Sequence, residues 1–369
     1  MTKKLAIIGA SYLQLPLIEK AKNIGLETHV FAWKADDVGE KAADYFYPIS
    51  IVEKDKILEK CKDLKVDGVC SIGSDLANIT VNYISENMGL IGNSLHSTSI
   101  STNKNLMRET FYINGDPIPK FACCDSNSDL SKINMGYPLI AKPTDRSGSR
   151  GVYKVENQYD LENAVKKALE VSFDKKVMIE EYVEGQEYSV EYISWKGQHH
   201  FLALTKKITT GAPYFIEKEH IEPADVSDEL LVAIKKVVEH ALDSLEIKYG
   251  ASHSEIKISD KNEIKIIEIG GRMGGDCIGS DLVYYSTGID FVKGVIDVSL
   301  GNEPDLARKR EPIKVKIVYM FTKEDFDKFE NIKKNNPNQI LKIVDYHPEK
   351  IGTTTDSSNR CGCYIIQIQ

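Results

Sequence analysis

Residues 254–275 read SEIKISDKNEIKIIEIGGRMGG. Two apolar-rich runs flank a polar turn at 259–262, which predicts an antiparallel hairpin. Each predicted strand carries one carboxylate, Glu255 or Glu268, and positions across such a turn can lie side by side. Adjacent carboxylates repel each other unless a cation lies between them, and Mg²⁺ is the usual hard cation that also holds phosphates. Arg272 follows a glycine pair and is expected to face an anion that the metal does not cover.

Length, composition and charge limit the class of protein. The chain has 369 residues, of which 42% are hydrophobic, and a formal net charge of −8. This length allows two or three domains. No basic block with interleaved aromatic residues is present, so nucleic acid is not the expected partner. No apolar run is long enough to predict a membrane span, and the first apolar run predicts a strand rather than a signal peptide. Seven scattered cysteines without a CxxC pair favour a cytoplasmic location.

Residues 1–98 alternate between strand patterns and helix patterns. This alternation predicts a parallel sheet that is covered by helices. Gly9 follows the first predicted strand, but the sequence GxGxxG is not present there. A tight turn explains Gly9 at least as well as a dinucleotide site, which counts against an NAD(P)-dependent oxidoreductase.

A loop of small residues at 147–151 is a candidate phosphate cradle. Gly148 and Gly151 would let backbone N–H groups approach an anion, while Ser147 and Ser149 would add hydroxyl donors. It is not a Walker A loop, because the GxxxxGK[ST] pattern is missing. A mobile hairpin loop would have the same composition, and both interpretations stay open.

Two lysines favour the phosphate interpretation. Lys142 lies in the apolar strand that precedes the loop, where it either reaches solvent or meets an anion. Lys104 lies near a predicted helix start, where a cation is unfavourable for the helix dipole unless an anion is bound there. Further along, the acidic segment 180–187 follows a strand and could hydrogen-bond an adenine edge and ribose hydroxyls, or could be a strand end with solvated glutamates.

These features, in this order, resemble the ATP-grasp superfamily over nearly the whole chain. Among its members the chain is most similar to carboxylate–amine ligases, including L-amino-acid (dipeptide) ligases and carbamoyl-phosphate-synthase-like proteins. The resemblance implies an α/β fold with an N-terminal parallel βαβ domain, followed by two α+β lobes of an ATP-grasp fold. The implied bounds are 1–98 for the first domain, 99–305 for the ATP-grasp domain (nucleotide lobe about 105–185, metal and substrate lobe about 186–305) and 306–369 for a C-terminal α+β segment.

The resemblance also implies roles for individual positions. Glu255 and Glu268 would hold Mg²⁺, with Mn²⁺ as the alternative metal. The residues expected to bind ATP are Lys104, Lys142, Ser147, Gly148, Ser149, Gly151, Glu180, Tyr182, Val183 and Glu187.

Four residues are expected on the substrate side of the site. Arg272 would hold the substrate carboxylate and the acyl-phosphate, and Lys206 lies where relatives place a further active-site base. Glu217 and His220 match a Glu-x-x-His pair of the dipeptide ligases and would face the acceptor amine. An ordinary loop explains the last two residues equally well.

Position 270 departs from the pattern of many ATP-grasp enzymes. An asparagine stands there as a third metal ligand in those enzymes, whereas this chain has Gly270. The spacing from Glu268 to Arg272 is typical of the dipeptide ligases. The resemblance therefore implies a ligase that joins a small-molecule carboxylate, an amino acid among the candidates, to an amine. Bicarbonate activation and nucleotide binding without turnover are the alternatives, and a homodimer is compatible with the fold.

Overall fold

The computed structural model describes residues 2–146, 150–211, 216–352 and 360–369. Within these ranges the chain forms two four-stranded sheets and one eight-stranded sheet, all accompanied by helices. None of the helices in the described ranges has the length and apolar character needed to cross a membrane.

The first sheet is parallel and comes from the amino-terminal part of the chain. Its elements and the helices around it are β1 (Lys4–Ile8), α1 (Leu15–Asn23), β2 (Glu27–Ala32), α2 (Val38–Ala42), β3 (Tyr45–Pro48), α3 (Lys54–Leu64), β4 (Gly68–Cys70) and α4 (Asp75–Met88). The strand order is β3-β2-β1-β4, and all pairs are parallel. Leu5, Ala6, Ile7 and Ile8 are fully buried, because helices cover both faces of such a sheet. The predicted parallel βαβ unit is confirmed.

The second sheet is antiparallel and smaller. It is built with α5 (Leu95–Thr102), α6 (Lys104–Asn114), β5 (Phe121–Cys124), β6 (Leu139–Pro143), β7 (Tyr153–Val155), α7 (Gln158–Val171) and β8 (Val177–Glu181). The strand order is β5-β8-β6-β7. Asn103 caps α6 because its side chain accepts hydrogen bonds from the backbone amides of Asn105 and Leu106, which places Lys104 in the first helical position.

The third sheet has eight antiparallel strands and spans the rest of the chain. Its elements are β9 (Gln186–Trp195), β10 (Gln198–Thr209), β11 (Glu217–Glu222), α8 (Asp228–Ser244), β12 (Gly250–Ile258), β13 (Ile264–Gly270), α9 (Val283–Thr287), α10 (Phe291–Ser299), β14 (Val315–Met320), α11 (Lys323–Asn335), β15 (Ile340–Tyr346) and β16 (Gly362–Gln367). The order is β13-β12-β9-β10-β11-β14-β16-β15. The C-terminal strands therefore continue the same sheet that carries β12 and β13, and the domain bounds stay a prediction.

The hairpin β12–β13 forms as the sequence predicts. Glu255 lies directly opposite Glu268 in the register of the two strands. A register shift follows between Glu255 and Ile256, and such a bulge can redirect a side chain. Together the three sheets confirm the predicted α/β class, with a parallel sheet first and mixed α+β parts after it.

Candidate active site

The hairpin glutamates border a cleft between the second sheet and the eight-stranded sheet. A cavity of about 270 Å³ is lined by Lys104, Lys142, Glu180, Glu255 and Glu268, among others. A second cavity of about 720 Å³ adjoins it on the side of the parallel sheet. Both cavities share the lining residues Asp75, Lys207, Glu217, His253, Glu255, Arg272 and Asp276. The two spaces are therefore parts of one cleft.

Each hairpin glutamate already has an ammonium group beside it. Lys104 Nζ lies 2.7 Å from Glu268 Oε1, and Lys207 Nζ lies 2.7 Å from Glu255 Oε1. Burial opposes ionisation of Glu255, but Lys207 and His253 outweigh it and hold the pKa of this carboxyl well below its ordinary value. Each of the paired carboxylates of the sequence thus has a cation within ion-pair distance.

Lys207, rather than the predicted Lys206, is the lysine of β10 that reaches the cleft. Its Nζ lies within 3.0 Å of three carboxylates, those of Glu187, Glu217 and Glu255. Burial acts to lower the pKa of Lys207, and the three carboxylates raise it well above its ordinary value. Because neighbouring side chains of a strand point to opposite faces, Lys206 lies on the other face of β10 and lines neither cavity.

A buried ion-pair cluster forms the side of the cleft that the second sheet provides. Glu180 binds Lys142 Nζ at 2.6 Å and Arg108 Nε at 2.6 Å, and all three side chains are almost completely buried. Burial raises the pKa of Glu180, yet Arg108 and Lys142 lower it to about 2. The pKa of Lys142 is lowered, mainly by its burial. The predicted pair Lys142 and Glu180 is therefore brought together, with Glu180 oriented by its two cations.

The predicted hinge after β8 also borders the cleft. The N–H group of Tyr182 donates to Pro138 O at 3.2 Å, and Val183 O accepts from Lys257 Nζ at 3.2 Å. Both residues line the smaller cavity together with Glu187. The backbone of this hinge is thus held at the cleft by neighbouring segments.

The predicted phosphate loop is described only in part. Ser147, Gly148 and Ser149 lie outside the described residues. Gly151 has a φ of 76°, a conformation that favours glycine, and a side chain there would meet Val171 and Pro143 at 2.8 and 3.0 Å. At the start of the loop, Lys104 Nζ donates to the carbonyl of residue 146 at 2.8 Å. Lys104 therefore connects this loop to Glu268.

Arg272 is paired with a residue that the sequence did not indicate. Its Nε donates to Asp75 Oδ1 at 2.8 Å and its Nη2 to Asp75 Oδ2 at 3.1 Å, while Nη1 contacts the carbonyl of Met273 at 3.3 Å. Asp75 opens α4 in the parallel-sheet part of the chain. Burial raises the pKa of Asp75, but Arg272 keeps it below its ordinary value. This bidentate pair joins the parallel-sheet part to the hairpin.

Gly270 and Gly274 are required by the charged side chains around them. A Cβ atom at position 270 would lie 2.7 Å from Asp75 Oδ1, and one at position 274 would lie 2.7 Å from Glu191 Oε1. Glu191 accepts a hydrogen bond from the Gly274 amide at 3.0 Å and also binds His253. Burial lowers the pKa of His253, and Glu191 raises it to about 9. Charged groups therefore occupy the space beside these two glycines.

Glu217 and His220 come together, but only Glu217 lines the cleft. His220 Nε2 lies 3.4 Å from Glu217 Oε2, and the fully buried ring has no hydrogen-bond partner within the described ranges. Its edge packs on Tyr319 with the ring centroids 5.4 Å apart. His220 is absent from the described lining of both cavities and sits behind Glu217. Of these two residues, Glu217 therefore borders the cleft and His220 packs behind it.

Arg360 and Asp276 complete this end of the cleft. Arg360 binds Asp276 at 2.7 and 3.0 Å and Glu217 at 3.1 Å. Oxygen or nitrogen atoms of Glu217, His220 and Asp276 lie within 4.8 Å of one another, a spacing that a cation could use. The Arg360 guanidinium already neutralises both carboxylates, so a cation there would have to compete with it.

Sequence reasoning missed several residues of the cleft. For Lys207 a signal existed, namely the alternation of β10. Asp75 and Arg360 are distant in sequence from the residues they bind, so only the tertiary fold brings them there. The missed residues are Asp75, Arg108, Glu191, Lys207, His253, Asp276 and Arg360.

The chain is similar in sequence to a known protein family and to several known proteins. Residues 135–281 match the family described as the ATP-grasp domain. A D-alanine--D-alanine ligase of Flavobacterium johnsoniae is 30% identical over 167 residues, which are 43% of this chain and 48% of that protein. A carbamoyl phosphate synthase large chain of Caldanaerobacter subterraneus is 25% identical over 272 residues, which are 72% of this chain and 24% of that protein. The chain thus matches less than half the length of either protein.

Solved structures share the fold over the whole chain. The L-amino acid ligase from Bacillus licheniformis has a TM-score of 0.84 at 24% identity, covering 99% of this chain and 93% of that chain. Phosphoribosylglycinamide synthetase from Anaerococcus prevotii has a TM-score of 0.79 at 22% identity, covering 100% and 94%. At these sequence identities the similarity establishes the fold of the chain. The reaction has to be inferred from the residues of the site.

Proposed function

The chain contains an ATP-grasp domain over residues 135–281, as the sequence predicted, and from this premise we propose that it is an ATP-dependent carboxylate–amine ligase. The reaction activates a carboxylate as an acyl-phosphate and gives an amide, ADP and phosphate. The observation that carries the proposal is the pair of facing glutamates, Glu255 and Glu268, which borders a cleft together with Lys104, Lys142 and Lys207.

This arrangement suits phosphoryl transfer. The reaction needs alignment and charge neutralisation more than a protein nucleophile. Lys104 and Lys142 line the smaller cavity and are nearly buried, so their charges act at low dielectric. The triphosphate is proposed to lie along these two lysines, with the hinge at Tyr182 and Val183 and the carboxylate of Glu187 beside the nucleoside.

The residues present fit a divalent metal. Glu255 and Glu268 supply carboxylate oxygens on facing strands, the ligand type that Mg²⁺ and Mn²⁺ prefer. When bound, the ion would neutralise phosphate charge in the cleft. Gly270 offers no side-chain ligand, and the Asp75–Arg272 pair fills the space where one would lie. Glu255 and Glu268 are therefore the proposed protein ligands.

The substrate groups are proposed to react in two steps. A carboxylate oxygen attacks the γ-phosphorus and ADP leaves, which forms the acyl-phosphate. The amine nitrogen then attacks the carbonyl carbon, phosphate leaves, and the nitrogen loses a proton. Arg272 is placed to hold the carboxylate and the acyl-phosphate. Glu217 is placed to bind the amine, with His220 behind it as a positioning residue.

The decisive test is Glu268→Ala in an ADP-release assay with a panel of acids and amines. We expect the rate to fall at least about 100-fold, because this change removes charge control at the transferred phosphoryl group. Glu263→Ala is the matched control, since Glu263 is an exposed glutamate on the turn of the same hairpin. Circular dichroism shows whether each variant is folded. Retained turnover in folded Glu268→Ala would contradict the proposal.

Bicarbonate is the second candidate acid. The match to a carbamoyl phosphate synthase large chain over 72% of this chain favours it. ADP release that depends on bicarbonate, and not on an organic acid, would select this alternative. ATP binding without ADP release across the whole panel would instead indicate a nucleotide-binding protein without turnover.

A further inference from the structure

The larger cavity has an apolar end that the proposed chemistry does not use. The charged lining residues Lys207, Glu217 and Arg272 belong to the eight-stranded sheet and the segment that follows β13. Asp37 and Asp75, which also line the cavity, come from the parallel-sheet part of the chain. The opposite lining comes from the parallel sheet and contains Leu13, Trp33, Ile51, Val52 and Leu76.

The topology of the parallel sheet explains this apolar end. Leu13, Trp33, Val52 and Leu76 each follow a different strand, namely β1, β2, β3 and β4. The carboxyl ends of parallel strands meet at one edge of the sheet, and ligands of open α/β sheets bind outside that edge. Four segments distant in sequence therefore converge on one wall of the cavity.

The residues on this wall are unusually exposed for apolar side chains. Trp33 is 70% exposed, Val52 57% and Leu76 46%. Single exposed apolar residues are common, whereas a contiguous group beside a cavity marks a binding surface. Asp37 and Ser50 border the same wall, so polar groups rim the apolar group.

The size of the cavity fits a ligand with a large substituent. Small-molecule pockets typically measure about 300–1,000 Å³. The larger cavity measures about 720 Å³, and the smaller cavity of the same cleft adds about 270 Å³ beside it. A carboxylate or an amine at Arg272 and Glu217 occupies only the charged end. The remaining volume leads to Trp33.

We propose that one of the two substrates carries a bulky apolar side chain, aromatic or branched aliphatic, which packs on Trp33, Val52 and Leu76. This inference rests on the proposed ligase function and names the substrate class of that site. Removing such a side chain from water is favourable, and the aromatic face of Trp33 suits a ring or a branched chain. Trp33 is thus the proposed specificity-determining residue.

Fluorescence tests the binding step without turnover. The chain has two tryptophans, and Trp195 is only 9% exposed, so Trp33 is the one that a ligand in the cavity can reach. We expect saturable changes of emission with phenylalanine and leucine as probes, and none with alanine or glutamate. Trp33→Phe should abolish the change. A response that is the same for all four amino acids, or that persists in Trp33→Phe, overturns the inference.

Turnover tests the specificity. In Trp33→Ala we expect the ratio of kcat/KM for bulky apolar substrates to that for alanine to fall at least about tenfold. Tyr159→Ala is the control, because Tyr159 is 74% exposed and lies outside the described cavity lining. An unaltered ratio in Trp33→Ala, or an equal fall in Tyr159→Ala, overturns the inference. If no pair of substrates releases ADP from the wild type, the ligase proposal fails, while the fluorescence result still decides whether Trp33 binds an apolar ligand.

Discussion

Position 270 shows how a single residue changes meaning once its surroundings are known. The resemblance places Gly270 where many ATP-grasp enzymes have a metal-binding asparagine. In the structure, a Cβ atom there would meet Asp75 Oδ1 at 2.7 Å and the Arg272 guanidinium at 3.3 Å. The ion pair uses that space, which no local pattern could reveal because Asp75 is distant in sequence.

Lys207 is the lysine of the site that lies beside three carboxylates. It neutralises three carboxylates while almost completely buried. The resemblance implied Lys206 instead, and the phase of the alternating strand, which would select Lys207, cannot be set until the strand is recognised. β10 begins at Gln198 and ends at Thr209, and this strand was not predicted.

Lys207→Met should therefore damage both stability and activity. Removing one partner of a buried ion pair costs about 3–5 kcal/mol in the free energy of unfolding, and here three carboxylates lose their cation. We expect this loss in urea unfolding followed by circular dichroism, together with a fall in ADP release of at least about 100-fold.

Lys206→Met is the matched control for this change. It removes the same group from the adjacent position, on the face of β10 that turns away from the cleft, and such a substitution usually stays within about 0.5 kcal/mol. Equal effects of the two variants on unfolding and on ADP release would contradict the assignment of Lys207.

At the scale of elements, long periodic segments were predictable and short or polar ones were not. Helix α4 and the hairpin β12–β13 follow their apolar patterns closely. α5, with the sequence LHSTSIST, was missed because serine and threonine favour turns and caps over helix interiors. Its buried Ile100 and the serine cap at its start stabilise it through packing that the sequence alone does not display.

One contact between elements contains a buried acid that the proposed chemistry does not use. Glu222, at the end of β11, is fully buried and accepts hydrogen bonds from Thr205 on β10 and Ser286 on α9. Burial raises its pKa to about 7, more than the two hydroxyls lower it. Between about pH 4.5 and about pH 7 the carboxyl is therefore protonated in the folded protein but ionised in the unfolded chain.

Glu222 should make the protein less stable as the pH rises. Below about pH 4.5 the Glu222 carboxyl is protonated in both the folded and the unfolded state. Between about pH 4.5 and about pH 7 it loses its proton only in the unfolded state, so the free energy of unfolding falls as the pH rises. Above about pH 7 the contribution of Glu222 to the free energy of unfolding is completely lost, which amounts to about 3 kcal/mol. Glu222→Gln mimics the protonated form, so its free energy of unfolding should decline less than that of the wild type between pH 5 and pH 8.

A second variant on the same strand controls for general effects. Glu219→Gln removes a partly exposed acid that lies 3.2 Å from Lys316, and we expect its pH dependence to follow that of the wild type. Parallel pH profiles for the wild type and Glu222→Gln, measured by urea unfolding, would refute the role of Glu222.

At the scale of the whole molecule, ion pairs between distant segments assemble the cleft. Lys104 connects α6 to the hairpin, Arg360 connects the C-terminal segment to Glu217, and Asp75 connects the parallel sheet to Arg272. The sequence indicated both Lys104 and Glu268 but only one partner of each of the other two pairs, because motifs identify residues near one another in the chain. The other partner depends on how the three sheets meet, which is a property of the complete fold.

The Asp75–Arg272 pair links the parallel-sheet part of the chain to the segment that follows β13, and a double-mutant cycle measures this link. Asp75→Ala and Arg272→Met each leave a charge without its partner at a largely buried site, so each should lower the free energy of unfolding. The double variant should lose less than the sum, with a coupling of about 1–3 kcal/mol in urea unfolding. Asp305 and Lys309 form an exposed pair at 2.6 Å, and the same cycle there should give no measurable coupling. Additive losses for Asp75 and Arg272 would show that the two parts of the molecule hold together without this pair.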